Sequence, residues 1–296
     1  MRIASPVALL VITSLASIGC GGDDGTATPG VDAGVVPEPF IPQPTGTCPP
    51  ILAGDVMFAP AGIAPRSVHL SLSAAAATGP LVLYWHATGS NPSEASFSFG
   101  AAPEAAFIAG GGVIAAPASD PTAGMFEWFI VNQRTEQDDF LLADEIVACL
   151  AKANRIDTHH IHSWGMSAGA LQTTAMSFLR SSYIASVATY SGGVPAQFGA
   201  PPPLDPDNHF AALIFHGGAS DMVFGVDFQA ASLAYKTLLD DADHFTAICN
   251  HGGGHTIPRT AAPSVITFFA ANGYGVWPSP YVAAGLPAGF PAYCAR

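Results

Sequence analysis

Positive charge is scarce in this sequence. The 296 residues include nine Lys and Arg against 22 Asp and Glu, which gives a formal net charge of −13. So few cations cannot form the basic surface that neutralises a phosphate backbone, and a nucleic-acid partner is therefore excluded. An acidic surface also repels polyanions, so a neutral substrate is favoured.

Charged residues of both signs make up only 10% of the chain, whereas hydrophobic residues make up 49%. The apolar surface is therefore ample to offset the entropy lost on ordering, and the body of the chain is expected to fold. Cys-x-x-Cys pairs and histidine-rich spacings are missing as well. We therefore expect no metal site. No cofactor is expected either.

The sequence has no apolar run long enough for a comfortable membrane span. The run over residues 7–18 follows Arg2 and is typical of a signal peptide. A small residue then precedes Cys20, as in a bacterial lipobox, where the Cys is lipidated. We expect residues 1–20 to be a lipoprotein signal with Cys20 as the lipid attachment point. Cleavage near Gly19 with a free Cys20 is the alternative.

Residues 21–47 are rich in Gly, Pro, Thr and Asp and have no periodic apolar pattern. Such a composition predicts a disordered linker that holds a soluble domain away from a membrane. The folded domain is predicted over residues 48–296.

Four cysteines remain if Cys20 is lipidated, and an even number in an exported protein predicts two disulfides. Three pairings are possible. We favour Cys48–Cys294 with Cys149–Cys249, because Cys48 and Cys294 flank the domain and chain ends often lie close together.

Strand and helix patterns alternate along the domain, which predicts an α/β fold with a mostly parallel, doubly wound sheet and helices on both faces. The predicted strands cover residues 68–73, 81–85, 112–116, 160–164, 184–190, 213–216 and 244–249. The predicted helices cover residues 138–152, 168–179, 228–239 and 264–271.

The clearest chemical pattern is Gly-Met-Ser-Ala-Gly at residues 165–169, between a predicted strand and a predicted helix. This is the pattern of a nucleophile elbow, a sharp turn that exposes a serine hydroxyl at the start of a helix. It predicts Ser167 as a nucleophile. A small-residue turn without chemistry is the alternative.

A serine nucleophile needs a base and an orienting carboxylate, which follow later in the chain in the order Asp then His. Asp221 comes soon after the predicted strand at 213–216, with Asp227 as its rival. His255 follows three glycines in the loop after residue 249, and His251 is the rival base. We predict a Ser167–His255–Asp221 triad.

The developing oxyanion requires backbone N–H donors. We predict Ala168, directly after the nucleophile, and Thr88, in the small-residue turn after the strand at 81–85. His86 in that turn is predicted to be structural. Trp128, Trp164 and Phe224 are candidates to line an apolar acyl or aryl pocket, with a plain role in the core as the alternative.

Several of these segments together resemble the esterase family of polyhydroxyalkanoate (PHB) depolymerases, feruloyl esterases and acetyl-xylan esterases. The resemblance covers roughly residues 65–270. The family patterns His-Gly-x-Gly, Asp-Asp-x-x-Phe, Ile-Asp-x-x-Arg-Val, His-Gly-x-x-Asp and Gly-Gly-His-x-x-Pro are similar to residues 86–89, 138–140, 156–161, 216–221 and 253–258. Ala87 stands where the family has Gly, and the Trp often found beside the base is missing after His255.

The resemblance implies an α/β-hydrolase fold and hydrolysis of polyhydroxyalkanoate, feruloyl or acetyl esters through an acyl-enzyme. We expect an exported monomer whose membrane contact is confined to the N-terminal lipid. A serine peptidase or amidase of the same fold is one alternative. A catalytically silent surface binding module is the other.

Overall fold

The structure is a computed structural model that describes residues 37–75 and 77–296. Its centre is a nine-stranded sheet in the order β1-β2-β4-β3-β5-β6-β7-β10-β11. The strands are β1 Gly54–Phe58, β2 Arg66–Ser71, β3 Gly79–Trp85, β4 Val113–Pro117, β5 Ile156–Met166, β6 Ser186–Tyr190, β7 Ala211–His216, β10 Thr246–Asn250 and β11 Cys294–Ala295. The strands from β4 to β10 in this order are mutually parallel, whereas β1, β2 and β11 join antiparallel at the two edges.

Helices cover both faces of the sheet, which confirms the predicted doubly wound α/β class. The helices are α1 Glu94–Phe99, α2 Ala101–Ala109, α3 Asp138–Lys152, α4 Ala168–Leu179, α5 Phe228–Asp241, α6 Ala262–Ala271 and α7 Tyr281–Ala284. The first core lies under α3, α4 and α5, and the second under α1, α2 and α6.

Strand β3 shows how one segment supplies both cores. Leu83 and Trp85 belong to the first core, and Val82 and Tyr84 to the second. Successive side chains of a strand point to opposite faces of its sheet, so a strand buried on both faces must be a continuous apolar run. This run is what the sequence shows over residues 81–85.

Several short or peripheral elements were not predicted. Strands β1 and β11, helices α1, α2 and α7, and a two-stranded hairpin of β8 Met222–Val223 and β9 Val226–Asp227 all lie outside the predicted set. They are short or half exposed, so they carry little periodic apolar signal. The parallel arrangement brings the carboxyl ends of β3, β5, β6, β7 and β10 to one edge, where α/β sheets bind ligands.

The two disulfides join Cys48 to Cys149 and Cys249 to Cys294. Two disulfides were predicted, but the favoured pairing was wrong. Cys249 and Cys294 are direct cross-strand partners of β10 and β11, an antiparallel pair that the sequence did not reveal. Cys48 lies against the buried side of α3, where Cys149 is located.

The predicted linker over residues 21–47 needs correction at its end. Residues 37–47 lie along the domain: the Phe40 N–H donates to the Ser182 carbonyl at 2.8 Å, and the Thr45 N–H donates to Glu145 Oε2 at 2.7 Å. The buried Glu145 carboxylate attracts free N–H groups, so this stretch is tied down despite its composition.

The predicted signal at residues 1–20, with Cys20, and the first part of the linker lie outside the described residues. Within residues 37–75 and 77–296, the helices are all too short or too polar to cross a bilayer.

Candidate active site

Ser167 occupies the sharp turn between β5 and α4. Its backbone φ of 56° and ψ of −119° are sparsely populated by non-glycine residues. The turn is held by a hydrogen bond from the Ser167 N–H to the Tyr190 carbonyl at 2.8 Å. Backbone strain of this kind persists only where surrounding structure imposes it, and here it directs the hydroxyl to the carboxyl edge of the sheet.

The glycines on either side of the turn have a steric function. A Cβ at Gly169 would lie 1.9 Å from the Trp85 carbonyl oxygen, and a Cβ at Gly165 would lie 2.4 Å from that of Gly169. Any side chain at these positions would force α4 away from β3 and β5. The small residues of the Gly-x-Ser-x-Gly pattern are therefore a packing requirement of the turn.

The structure brings Ser167, His255 and Asp221 into one hydrogen-bonded chain. Nε2 of His255 lies 2.8 Å from the Ser167 Oγ, and Nδ1 of the same ring lies 2.7 Å from Asp221 Oδ1. Asp221 is fully buried, and the His255 side chain is 17% exposed. This is the geometry in which an imidazole takes a proton from a serine while a carboxylate fixes its tautomer.

Contact between two loops positions the imidazole. The Gly254 N–H donates to the Gly217 carbonyl at 3.0 Å, and a Cβ at Gly217 would lie 1.9 Å from the Gly254 carbonyl oxygen. The loop after β10 therefore rests directly on the loop after β7, which brings His255 to Asp221. The Phe228 ring packs against the imidazole with the centroids 4.6 Å apart.

Asp221 is held by further hydrogen bonds on its second oxygen. The Gly217 N–H donates to Oδ2 at 2.7 Å, and the Ser191 hydroxyl donates to Oδ2 at 2.8 Å. Burial alone would raise the pKa of this carboxyl, but hydrogen bonds from His255, Gly217 and Ser191 outweigh it, and the pKa lies below the ordinary value. Asp221 is therefore a stable anion beside His255.

The rival residues lie elsewhere. Asp227 caps α5, where its Oδ1 accepts from the Ala230 N–H at 2.9 Å. His251 accepts from the Gly253 N–H at 3.2 Å through Nδ1. Among the described residues, neither rival has a hydrogen bond to Ser167 or His255.

The turn after β3 is braced on three sides. The His86 carbonyl accepts from Trp128 Nε1 at 2.9 Å, the Ala87 N–H donates to Glu94 at 3.0 Å, and the Gly89 N–H donates to Glu127 at 3.1 Å.

Among the described residues, the N–H groups of Thr88 and Ala168 have no acceptor. Both residues line the cavity that contains Ser167, so two free donors are available there. His86 is buried, in keeping with a structural role.

The cavity at Ser167 has a volume of about 190 Å³ and mainly apolar walls, with Gln133 and Gln197 among its polar side chains. Phe224 lines it from the tip of the β8–β9 hairpin, is 68% exposed and contacts Phe126 edge-on at 5.5 Å.

The other two candidates for the pocket, Trp128 and Trp164, do not line this cavity. Trp128 is buried in the first core, where its Nε1 donates to the His86 carbonyl. Trp164 is completely buried in the second core and packs against Tyr84 and Phe99, because its position on β5 points away from the cavity.

Sequence reasoning missed several supporting residues. Ser191 follows β6 at the same sheet edge as Ser167, and this placement was a usable signal. No sequence signal pointed to Glu94 or Glu127, because isolated acidic residues are common in loops and in the first turn of a helix. Glu127 also has a backbone φ of 68°, which is rare for a residue with a side chain.

One group of potential metal ligands is present in the described part of the chain. Cys48, Glu145 and Cys149 have ligand atoms within 4.8 Å of one another. Both sulfurs are in a disulfide, and Glu145 accepts hydrogen bonds from Thr45 and Gly46. This group therefore has no free thiolate with which to bind a metal.

Neither models of known families nor curated protein sequences gave a match. Solved structures did. Native pOPH is 15% identical, with 84% of this chain and 96% of that chain covered at a TM-score of 0.66. The Bacillus cereus carboxylesterase is 16% identical, with 69% and 93% covered at a TM-score of 0.52. A Pyrococcus horikoshii acylaminoacyl peptidase is 14% identical, with 74% and 41% covered at a TM-score of 0.52. With the sheet topology, these similarities show that the chain has the α/β-hydrolase fold.

Proposed function

We propose that this protein is a serine hydrolase of carboxylic esters, with Ser167 as nucleophile, His255 as general base and Asp221 as its orienting carboxylate. The observation that carries the proposal is the unbroken hydrogen-bonded chain from the Ser167 hydroxyl through both ring nitrogens of His255 to a buried carboxylate. Because these residues come from three separate loops at one sheet edge, chance juxtaposition is a poor explanation.

In the first half-reaction, Ser167 Oγ attacks the ester carbonyl carbon while its proton passes to His255 Nε2. The imidazolium is stabilised by the Asp221 anion at Nδ1. The tetrahedral intermediate then collapses, and the alkoxide leaves with the proton from Nε2. In the second half-reaction, His255 activates water, which releases the acid and regenerates the Ser167 hydroxyl.

The oxyanion is proposed to bind the free N–H groups of Ala168 and Thr88. Ala168 is the first residue of α4, so its N–H also lies at the positive end of the helix dipole. The backbone at Thr88 is fixed because the N–H groups of Ala87 and Gly89, on either side of it, donate hydrogen bonds to the carboxylates of Glu94 and Glu127. Donors that are already oriented need no reorganisation when charge develops, which is the main source of their effect.

Esters are favoured over peptides by the walls of the cavity. Apolar side chains such as Val131, Leu171 and Phe224 predominate in the space beside Ser167, with Gln133 and Gln197 as the amides among them. An extended peptide needs a series of acceptors and donors for its backbone, which these walls supply sparsely. A peptidase or amidase is the competing activity. The subclass within esters, whether polyhydroxyalkanoate, feruloyl or acetyl, stays an expectation of the sequence resemblance.

A fluorophosphonate probe separates an enzyme from a silent binding module. The wild-type protein is expected to be labelled at Ser167, and Ser167→Ala is expected not to be. Hydrolysis of p-nitrophenyl acetate, set beside that of the corresponding p-nitroanilide, then separates an esterase from an amidase. A protein that is neither labelled nor active on either substrate would overturn the proposal.

We also propose that the protein is exported and anchored by a lipid on Cys20, with the membrane touched through that lipid alone. The four cysteines of the domain are paired in disulfides, and disulfides persist in oxidising compartments outside the cytosol. We propose in addition that the exported protein is a monomer.

A further inference from the structure

A second and larger cavity adjoins the space at Ser167. It has a volume of about 580 Å³, against about 190 Å³ for the first. Four residues line both: Val131, Gln133, Leu171 and Phe198. The two spaces therefore meet at these side chains. A volume of this size is within the range of about 300–1,000 Å³ that takes a drug-sized organic molecule.

The helix that begins at the nucleophile forms one wall of the larger cavity. Leu171, Ala175 and Phe178 of α4 line it, at the spacing of one helix face. The rise of a helix places Phe178 about 10 Å beyond Leu171. The cavity therefore follows α4 away from Ser167 as an extended apolar channel.

Two of the three polar side chains on the walls of the larger cavity, Thr174 and Arg134, are already hydrogen-bonded, and the third is the exposed Gln133. The Thr174 hydroxyl donates to the Ala170 carbonyl at 3.0 Å and accepts from the Gly193 N–H at 3.1 Å. Arg134, at the rim, donates to the Thr122 carbonyl at 2.5 Å and pairs with Glu136. The channel thus offers mainly carbon to a ligand and no unpaired cation to hold a carboxylate, so a neutral apolar chain suits it.

The direction of the substrate follows from the position of the base. The leaving alcohol must face His255 Nε2 to receive its proton. His255 lines neither of the two cavities, whereas Ser167 and Ala168 line the smaller one. The part of an ester that enters the channel is therefore its acyl part.

On the basis of the proposed function, we propose that this channel is an acyl-chain site, which makes esters of unbranched apolar acids of medium length better substrates than acetyl esters. The acyl carbonyl binds at Ser167 in the smaller cavity, and the chain passes between Leu171 and Phe198 into the larger one. An acetyl group would not extend into this channel, so the channel indicates a longer acyl chain in the substrate.

The first test uses p-nitrophenyl esters from acetate to octanoate. In the wild-type protein, kcat/KM is expected to rise with chain length, by up to about fourfold for each methylene that is buried. Ala175 lines the larger cavity but not the smaller one. Ala175→Trp is therefore expected to lower kcat/KM for octanoate by about tenfold or more, and to change that for acetate by less than about twofold. Ala105→Trp, the same substitution at an exposed position of α2, is the matched control.

The second test does not depend on catalysis. Octanamide binding to the Ser167→Ala protein is measured by calorimetry, with and without Ala175→Trp. Binding that Ala175→Trp abolishes supports the acyl site, even if no ester is cleaved and the proposed esterase activity fails. Val194→Trp closes the channel from the facing wall and serves if Ala175→Trp does not fold. Equal loss for acetate and octanoate, no chain-length preference, or unchanged octanamide binding in a folded plug variant would overturn the proposal.

Discussion

Nε2 of His255 lies 2.8 Å from the Oγ of Ser167, although the two residues are 88 positions apart in the chain. A nucleophile and a base in contact act as one unit, so removing either is expected to remove the function of both. We predict that Ser167→Ala and His255→Ala each lower kcat by a factor on the order of 10⁴ to 10⁶. The double variant is expected to be hardly worse than either single one.

Kinetics on p-nitrophenyl acetate measure these effects, with circular dichroism to show that each variant is folded. Additive losses in the double variant would mean that the two residues do not share a step. A folded Ser167→Ala protein that keeps more than about a tenth of the activity would rule out Ser167 as nucleophile.

His251 is expected to matter much less than His255. Its N–H donates to the His216 carbonyl at 3.1 Å, and its Nδ1 accepts from Gly253, so it braces the start of the loop that carries His255. We predict that His251→Ala lowers kcat/KM by less than about tenfold, through looser loop packing. The same assay on both variants decides: an inactive His251→Ala with an active His255→Ala would reverse the assignment of the base.

The central strands could be predicted because both faces of the sheet are covered, and the helices because their buried residues repeat at helical spacing. Helix α3 was predicted with its observed bounds, since Leu142, Ile146 and Leu150 repeat at helical spacing. Strand β5 was predicted over residues 160–164 but begins at Ile156 and ends at Met166. The residues at 157–160, directly after the buried Ile156, are half exposed and include two histidines, so the continuous apolar signal starts late.

The candidate site shows the same division. Ser167 was predictable because the elbow imposes glycine at 165 and 169, and His255 and Asp221 because each follows a predicted strand. Glu127 was not predictable, because an isolated acid that reaches Gly89 across 38 positions leaves no local signal. Ser191 reaches Asp221 across 30 positions, and its place after β6 at the same sheet edge was the one signal for it. Trp164 was misplaced because a strand residue faces one side of the sheet or the other, and a one-residue uncertainty in register exchanges the sides.

Glu127 is predicted to position the oxyanion turn. Its carboxylate accepts from the Gly89 N–H, next to the free N–H of Thr88, and its backbone has the unusual φ of 68°. Strain at such a residue suggests a functional constraint. Without the carboxylate the turn can relax, so Glu127→Ala is expected to lower kcat by about tenfold or more with little change in KM, because the donor acts mainly in the transition state.

Glu127→Gln should recover most of this kcat, since an amide oxygen also accepts from Gly89. Glu104→Ala is the matched control, because Glu104 accepts from the Ser96 hydroxyl and, among the described residues, has no hydrogen bond to the turn at residues 86–89. A rise in KM with unchanged kcat in Glu127→Ala would instead indicate a role in substrate binding.

Cys20 is predicted to carry the membrane anchor. If it is lipidated, Cys20→Ser should move the protein from the membrane fraction to the soluble fraction, because two or more acyl chains are what hold such a protein on a bilayer. The specific activity of the soluble variant should equal that of wild type, since Cys20 precedes the domain predicted over residues 48–296. Fractionation and intact mass measure this, and a wild-type chain that is soluble and begins at another residue would contradict the anchor.

The stability of the fold is predicted to fall on mild acidification, and His162 is one identifiable cause. The His162 ring is fully buried, stacks on Phe269 at 4.4 Å, and contacts the Ser186 hydroxyl through Nδ1 at 2.8 Å. Burial, together with the neighbouring His160, holds its pKa well below the ordinary value. Below a pH of about 6.5 the unfolded chain therefore binds a proton at this position that the folded protein does not.

The free energy of unfolding should consequently decrease as pH falls below about 6.5, with a contribution from His162 of up to about 1.4 kcal/mol per pH unit until the folded-state pKa is reached. His162→Gln keeps a polar group near Ser186 but does not titrate. The variant is expected to be less stable than wild type at pH 8, yet to show a shallower loss between pH 7 and pH 5 by about that amount. Urea unfolding of both proteins across this range measures the difference. Parallel pH profiles would mean that His162 is protonated in the folded protein as readily as in the unfolded one, which its burial argues against.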